Sequence, residues 1–207
     1  MAVIAIDGTF ASGKGTLGKH LASHYALPYL DTGKLYRAVG YALLQTNQDP
    51  DDALAATLAA QDLDATTLSD PALKSGDVAI AASKLAIHKE VRTALLTFQR
   101  DFAKGGAILD GRDIGTVICP DAEVKLYIDA AAPTRAQRRF EELQGYGENI
   151  TYETVLEQLL ERDTRDKTRA EAPLKPAADA HLIDTTALNI EEVVAIAIKI
   201  IDAALSC

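Results

Sequence analysis

The chain has 207 residues, of which 48% are hydrophobic, and it carries a formal net charge of −9. This length suits one hydrophobic core with room for a small subdomain. The acidic balance disfavours a general nucleic-acid binder, which needs a basic face. No apolar run reaches the roughly 18 to 20 residues that span a bilayer, so we expect no membrane association. The two cysteines, Cys119 and Cys207, exclude a disulfide scaffold and are typical of a reducing cytosol, which predicts a cytoplasmic protein.

The first half of the chain predicts strands, helices and one surface excursion. Residues 3–6 are a continuous apolar run, typical of a strand buried on both faces of a parallel sheet rather than of a signal peptide. A Gly-rich turn and a helix follow, then a short strand at 29–30. Asp31 or Thr32 is predicted to cap a helix that runs to about residue 44. Residues 48–77 are Ala-rich and predict an excursion with one or two short helices, and one helical stretch resumes over about 78–102.

The second half of the chain predicts three more strands, at 107–109, 124–128 and 181–183. Pro133 favours the first turn of a helix, and Thr151 is predicted to cap the next one. The apolar stripe predicted for that helix is Tyr152, Val155, Leu156, Leu159 and Leu160. A last helix is expected over about 190–205. Strands that alternate with helices indicate an α/β fold with a mostly parallel sheet.

The clearest functional signal lies between the first strand and the first helix. Glycines there let backbone N–H groups surround phosphate oxygens, while the helix N-terminus and a lysine add positive charge. We therefore predict an ATP phosphate site, the alternative being a strand–helix turn without a ligand. The strict pattern has Ser or Thr after the lysine, whereas Gly15 stands here and Thr16 follows. The predicted phosphate loop consists of Gly8, Thr9, Phe10, Ala11, Ser12, Gly13, Lys14, Gly15 and Thr16.

A second polar segment, residues 110–116, reads Asp-Gly-Arg-Asp-Ile-Gly-Thr and follows a predicted strand. Ligands bind at the carboxyl ends of such strands. A carboxylate there can face Mg²⁺ through water, and Arg112 can form a forked pair with a phosphate. The alternative is a polar turn in which an arginine and an aspartate pair internally. Residues 31–37 likewise allow two interpretations, a ligand site or a cap followed by an amphipathic helix.

Arginines form the third element, since six of the ten lie between residues 135 and 169. On one continued helix, Arg162, Arg165, Asp166 and Arg169 share a face. Three arginines so close repel one another unless an anion lies between them. A solvated, salt-bridged surface is the alternative, and it is as strong as a ligand site for Arg135, Arg138 and Arg139.

Taken together, these segments resemble bacterial-type cytidylate kinases, which belong to the P-loop nucleoside monophosphate kinases. The resemblance covers nearly the whole chain. The matching motifs are Ile-Asp-Gly-x5-Lys-Gly-Thr at 6–16, Asp-Thr-Gly-x-x-Tyr-Arg at 31–37, Ala-Ala-Ser at 81–83, Val-Arg-x-Ala-Leu-Leu-x-x-Gln-Arg at 91–100, Asp-Gly-Arg-Asp-Ile-Gly-Thr at 110–116 and Arg-Asp-x-Arg-Asp-x-x-Arg-x-x-x-Pro-Leu at 162–174. Each alone is modest evidence, but their order and spacing together are specific.

The resemblance implies an α/β P-loop kinase fold and a single kinase domain over 1–207. Its five-stranded parallel core would comprise about 1–36, 105–134 and 170–207. A mobile acceptor-binding region would comprise about 37–104, and a short lid about 135–169. The implied reaction is phosphoryl transfer from ATP to CMP and dCMP, giving ADP and CDP or dCDP, in pyrimidine nucleotide metabolism. Mg²⁺ would accompany ATP, and we expect a monomer.

The same motif match implies roles for individual residues. The acceptor phosphate would be held by Thr32, Arg37 and Arg112, and cytosine would be read by Ser83, Arg92 and Asp113. The acceptor sugar or phosphate would be reached by Asp166 and Arg162, the phosphates by Arg169, and ATP from the lid by Arg135 and Arg139. The catalytic set is Lys14, Arg112, Arg162 and Arg169. Mg²⁺ would be held mainly by phosphates and water, with Thr16 or Asp110 as candidate ligands, Asp110 also lying in the acceptor site.

One departure and three alternatives remain. Family members often carry a small β-sheet insertion in the acceptor domain, for which residues 48–77 lack strand signals. An adenylate- or shikimate-kinase-like enzyme is disfavoured by the motifs at 31–33 and 110–113. A P-loop GTPase is disfavoured because no Asn-Lys-x-Asp signal for guanine is present. A regulator without turnover is disfavoured because Lys14 and the arginines are all in place.

Overall fold

The computed structural model describes residues 2–206 and contains one parallel sheet of five strands. In chain order these are β1 (Val3–Gly8), β2 (Tyr29–Asp31), β3 (Ala107–Asp110), β4 (Val124–Asp129) and β5 (His181–Asp184). Their order across the sheet is β2-β3-β1-β4-β5, and every pairing is parallel. All five predicted strands are confirmed. The carboxyl ends of β1 and β3 lie side by side, with Ile6 opposite Asp110.

Eight helices connect and cover the strands within residues 2–206. They are α1 (Lys14–Tyr25), α2 (Gly33–Gln45), α3 (Ala53–Gln61), α4 (Gly76–Leu85), α5 (Lys89–Ala103), α6 (Ala132–Gly145), α7 (Tyr152–Thr168) and α8 (Ile190–Leu205). Pro133 lies in the first turn of α6, and Thr151 caps α7 by accepting a hydrogen bond from the N–H of Thr154, as predicted. None of these helices is long and apolar enough to cross a membrane.

The core lies on both faces of the sheet because alternate residues of each strand point to opposite sides. On one face α1 and α8 cover the strands, with Leu17, Leu21 and Ile201 fully buried. On the other face Ala103 of α5 and the segment after β3 pack on Ala5 and Leu109. Burial on both sides explains why β1 is a continuous apolar run rather than an alternating one.

The region predicted to bind the acceptor has a helical core of its own, formed by α2, α3, α4 and α5 around residues such as Leu35, Leu85 and Leu95. Residues 48–77 contain α3, two short 3-10 turns, Ala65–Ser69 and Pro71–Lys74, and the first two residues of α4, but no strand. The short helices predicted there are confirmed. The single helix predicted over about 78–102 is wrong, because α4 ends at Leu85 and α5 begins only after His88, whose backbone is extended.

The segment predicted to be a lid is a hairpin of α6 and α7. Its small core contains Ala136, Leu143, Val155 and Leu159, and Phe10 of the predicted phosphate loop packs against it. The predicted apolar stripe is wrong at its last member, since Leu160 is 48% exposed. Leu159 already completes the buried face, so the next residue points away from α6. Cys119 is unpaired within the part of the chain that is described, and Cys207 lies outside it.

Candidate active site

The predicted phosphate loop is the turn from β1 into α1. Gly8 has φ +142°, and a Cβ at this position would lie 1.9 Å from the carbonyl oxygen of Ile128 in β4, so only glycine fits. The hydroxyl of Thr9 donates to Asp129 over 2.6 Å, and the hydroxyl of Ser12 donates to the carbonyl of Thr9 over 3.0 Å. The loop is therefore tied to β4 and to itself.

Lys14 and Asp110 lie at the base of the site, where α1 begins and β3 ends. The Nζ of Lys14 donates to the carbonyl of Thr9 over 2.7 Å, and burial together with the nearby Arg112 lowers the pKa of Lys14. Burial raises the pKa of Asp110, although Lys14 opposes this effect. The hydroxyl of Tyr29 donates to Asp110 over 3.1 Å. A lysine and a carboxylate thus face each other where phosphate and metal chemistry is expected.

Thr32 and Arg37 stand at the start of α2. The hydroxyl of Thr32 donates to the carbonyl of Asp110 over 2.8 Å and does not cap the helix, which corrects the cap prediction. Arg37 pairs with Asp31 over 2.6 Å. The hydroxyl and the backbone N–H of Thr32 therefore hold the segment 31–37 against the end of β3, while the Arg37–Asp31 pair lies within the segment.

Three arginines converge on the carboxylate of Asp166. Arg112 donates to it over 3.0 Å, and Arg162 and Arg169 approach it at 3.9 and 3.8 Å. Burial alone would raise the pKa of Asp166, but the three guanidinium groups lower it below its ordinary value. The fourth member of the predicted cluster, Arg165, turns away and pairs with Glu161 at 4.0 Å.

A second buried pair joins Asp113 to Arg92 of α5, with Arg169 at 4.0 Å from the same carboxylate. Arg112 is thus not the partner of Asp113. The four guanidinium groups of Arg92, Arg112, Arg162 and Arg169 face two carboxylates. The Nε of Arg162, Nη2 of Arg169 and hydroxyl of Ser83 are buried without a hydrogen-bond partner. Excess positive charge and unsatisfied donors favour an anionic, hydrogen-bonding ligand.

Arg135 and Arg139, the two lid arginines predicted to approach ATP, differ in their surroundings. Arg139 lies 5.6 Å from the ring centroid of Phe10 and pairs with Glu142. Arg135 is buried, forms a double hydrogen bond with Asp163 at 3.1 and 2.6 Å, and donates to the carbonyls of Phe10 and Ala130. Its guanidinium is thereby engaged at the root of the lid, so the structure does not place Arg135 where the sequence suggested, facing ATP.

These groups line one cleft of about 1040 Å³ between the core, the acceptor-binding region and the lid. Of the predicted site residues, Gly8, Thr9 and Arg135 do not line it. Those that do are Phe10, Ala11, Ser12, Gly13, Lys14, Gly15, Thr16, Thr32, Arg37, Ser83, Arg92, Asp110, Arg112, Asp113, Arg139, Arg162, Asp166 and Arg169.

Two groups are prominent among the cleft residues that were not predicted from the sequence. One is the turn after β5, which includes Thr185 and Asn189. Arg138 of the lid donates two hydrogen bonds to Thr185, one to its hydroxyl and one to its carbonyl. The position of this turn after a strand end was a usable signal. The other comprises residues 68–70, 73 and 74 of the surface excursion, which no pattern marked.

A parallel sheet with a phosphate loop after β1, and an arginine-lined cleft at its carboxyl edge, define a P-loop kinase. The cytidylate kinase family model matches residues 4–203. The cytidylate kinase of Methylocella silvestris is 52% identical over 204 residues, covering 98% of this chain and 94% of that relative. A cytidylate kinase of Rhodopseudomonas palustris is 54% identical over 203 residues, covering 97% and 96%. The chain belongs to the cytidylate kinase family, and it is an ATP-dependent nucleoside monophosphate kinase.

Solved structures share the fold at low identity. An uncharacterized protein from Eubacterium ventriosum superposes with a TM-score of 0.57 at 17% identity, covering 98% of both chains. A gluconokinase from Sinorhizobium meliloti gives a TM-score of 0.50 at 13% identity, covering 99% of this chain and 97% of that one. At such identity these likenesses concern the fold alone.

Proposed function

We propose that this protein transfers the γ-phosphoryl group of ATP to the phosphate of CMP or dCMP, giving ADP and CDP or dCDP. The observation that carries the proposal is the buried pair of Asp113 and Arg92 in the same cleft as the phosphate loop, with the unpartnered hydroxyl of Ser83 on that cleft's wall. These groups offer a hydrogen-bonding surface suited to a pyrimidine base, next to a surface suited to phosphates.

On the donor side, the backbone N–H groups of the phosphate loop and the ammonium of Lys14 hold the β- and γ-phosphates of ATP. The remaining loop residues, Gly8, Thr9, Phe10, Ala11, Ser12, Gly13, Gly15 and Thr16, shape that loop. Arg139 contributes from the lid. Arg135 supports the site indirectly, since its bond to the carbonyl of Phe10 ties the lid root to the loop.

On the acceptor side, Thr32, Arg37 and Arg112 bind the phosphate of CMP. Arg162 and Arg169 neutralise charge that builds up around the transferred group, and Asp166 orients all three of its neighbouring guanidinium groups. Single groups of this kind typically supply about 10²- to 10³-fold in rate.

For the base, cytosine presents an N4 amino donor and two acceptors, N3 and O2. An ionised Asp113 accepts only and Arg92 donates only, while Ser83 can do either. CMP satisfies both residues, because its N4 amino group can donate to Asp113 and its N3 or O2 can accept from Arg92. UMP places O4 against a carboxylate and N3–H against a guanidinium, and each such mismatch costs about 1 to 3 kcal/mol.

The residues present suit Mg²⁺ as a companion of ATP. Mg²⁺ prefers oxygen ligands and keeps several waters while it binds phosphates. Asp110 and Thr16 both line the cleft, and the Oδ2 of Asp110 lies 3.6 Å from where a Cβ of Gly15 would be. Within residues 2–206 no group of three or more His, Cys, Asp or Glu side chains could hold a metal by itself. When bound, Mg²⁺ would neutralise phosphate charge beside Asp110 and Thr16.

The reaction needs positioning more than covalent chemistry. An oxygen of the CMP phosphate forms a bond to the γ-phosphorus as the bond from that phosphorus to the bridging oxygen breaks, and ADP departs with the electron pair. The acceptor oxygen is already anionic, so no strong general base is needed. Closure of the lid (135–169) and the acceptor-binding region (37–104) over the core excludes water. We further propose a monomer that works in the cytoplasm on pyrimidine nucleotides.

Steady-state rates with ATP and each of CMP, dCMP, UMP and AMP test the proposal. We expect kcat/KM for CMP to exceed that for UMP by about 10²-fold, because two buried mismatches act together. A preference for AMP would instead indicate an adenylate-kinase-like enzyme. Light scattering with and without substrates tests the monomer.

A further inference from the structure

Asp7, the residue of β1 directly before the phosphate loop, makes contacts that the phosphoryl transfer itself does not require. Its side chain is 4% exposed and does not line the cleft. One carboxylate oxygen accepts a hydrogen bond of 2.8 Å from the N–H of Ile114, and the other accepts one of 2.8 Å from the N–H of Gly115. A buried carboxylate is costly unless its oxygens are paired in this way.

The two N–H groups open an uncommon element, a π-helical turn over Ile114–Ile118. The first N–H groups of any helix lack partners within it, and a negative charge at that end is favourable. Farther along the turn, the N–H groups of Val117 and Ile118 donate to the carbonyl of Asp113 over 2.9 and 3.1 Å. The backbone of Asp113 is therefore hydrogen-bonded into the same turn whose first two N–H groups bind Asp7.

The turn is also held at its far end. Arg100 of α5 donates to the carbonyls of Val117 and Ile118, over 3.1 Å in each case. In the middle, a Cβ at Gly115 would lie 3.0 Å from the side chain of Lys125 and 3.4 Å from Asp7. The backbone of the turn is thus seated tightly between β1, β4 and α5.

Hydrophobic burial already attaches this turn to the protein, since Ile114 and Ile118 are 0% and 4% exposed in the core. Apolar packing is not directional, however, and it leaves the rotation of the backbone weakly determined. Two hydrogen bonds to one buried carboxylate fix that rotation at the start of the turn, as those of Arg100 do at its end. Arg112 and Asp113 come directly before this turn, and Asp113 is the residue at its N-terminal end.

We propose that Asp7 is a positioning residue that sets the orientation of Arg112 and Asp113 in the acceptor site through the N–H groups of Ile114 and Gly115. The proposal rests on the proposed function, because it assigns to Asp7 control over the binding of the CMP phosphate and over the choice of base. Asp7 also joins the donor and acceptor halves of the site, since Gly8 follows it immediately.

The variant Asp7→Asn tests this inference. Its amide oxygen can accept one of the two bonds, while its NH₂ group faces the other N–H and repels it. We expect the KM for CMP to rise at least tenfold, the KM for ATP to change less than threefold, and the CMP-to-UMP ratio of kcat/KM to fall at least fivefold. The matched control is Asp52→Asn, because Asp52 likewise accepts bonds from two backbone N–H groups, at the start of α3 and outside the cleft. That control should leave all three quantities unchanged.

The outcomes separate a positioning role from a purely structural one. If both KM values rise together, or if the CMP-to-UMP ratio of a folded Asp7→Asn stays at the wild-type value, Asp7 only stabilises the fold and the inference is wrong. If Asp7→Asn does not fold, Arg100→Gln loosens the other end of the same turn and must lower the ratio for the inference to hold. Failure of the wild type to phosphorylate CMP would overturn the proposed function instead, so the two failures are distinguishable.

Discussion

Glu148, at the tip of the lid, accepts a hydrogen bond of 2.8 Å from the backbone N–H of Gly76, the first residue of α4 in the acceptor-binding region. Beside it, the Nζ of Lys74 lies 5.4 Å from the centroid of the Tyr146 ring. The lid and the acceptor-binding region therefore touch directly across the mouth of the cleft. The carboxylate sits at a helix N-terminus, where negative charge is favourable.

This contact predicts that Glu148→Gln weakens closure. A charge at a helix N-terminus is worth about 0.3 to 1 kcal/mol, so affinity for a bisubstrate analogue that joins the two nucleotides should fall about two- to fivefold. In the wild type that analogue should protect amides of 135–148 and of part of 48–90 from hydrogen exchange. In the variant the same amides should be protected less. The control Glu141→Gln removes the same charge from the exposed side of the lid. Equal protection with and without the analogue in the wild type would argue against closure.

Replacement of Lys14 by alanine should lower kcat about 10²- to 10³-fold, as for other single electrostatic groups at a reacting centre. The protein should remain folded, because the loop is also held by the bonds of Thr9 and Ser12. Circular dichroism checks the fold and a coupled ADP assay checks the rate. Turnover near the wild-type value would show that Lys14 is not a phosphate ligand.

Binding of ATP should be accompanied by proton uptake above neutral pH. Burial and Arg112 lower the pKa of Lys14 to about 7 in the free protein, whereas phosphate oxygens favour the charged ammonium and raise it again. The group therefore takes up a proton on binding between pH 7 and its pKa in the complex, and ATP affinity falls as pH rises through that window.

Calorimetry of ATP binding at pH 8.5 in two buffers of different ionisation enthalpy measures this uptake. Lys14→Arg is the control, because a guanidinium stays protonated throughout and should show no uptake from this site. The same uptake in both proteins would assign the proton to another group.

The pairing of Asp113 with Arg92 rather than Arg112 makes a test of base choice direct. In Asp113→Asn the amide can accept from N4 of cytosine or donate to O4 of uracil, so the CMP-to-UMP ratio of kcat/KM should fall from about 10² to below about 10, with UMP activity retained or raised. Asp31→Asn is the control, since it alters another arginine–carboxylate pair of the cleft, with Arg37. If Asp113→Asn lowers both rates equally, Asp113 does not read the base.

The lid root yields a prediction about stability. Arg135 and Asp163 form a buried pair, and removal of one partner leaves an uncompensated buried charge, which costs about 3 to 5 kcal/mol. Arg135→Met should therefore lower the free energy of unfolding by that amount, and the added change Asp163→Leu should recover much of it. Urea denaturation measures both, and a double variant no more stable than Arg135→Met would contradict the expectation.

Local patterns in the sequence determined most of the elements. The last helix was predicted over about 190–205, and it has those bounds in the structure, where a local capping box of Asn189 and Glu192 begins it. The phosphate loop was also predicted from a local pattern, since Gly8 and Lys14 lie in one continuous turn between a strand and a helix. Helix periodicity likewise placed Arg162 and Asp166 on one face of α7, although Arg165, predicted for the same face, turns away and pairs with Glu161.

Only the tertiary structure decided which charges pair. Arg135 and Arg139 lie one turn apart on α6, yet one is buried against Asp163 and the other faces the cleft. Asp7 accepts a hydrogen bond from the N–H of Ile114, more than a hundred residues away along the chain, and Asp113 accepts one from Arg92 of α5. Periodicity identifies the face on which a side chain lies, but its partner depends on which other element packs there. That packing is decided by burial of the whole core, which no local pattern contains.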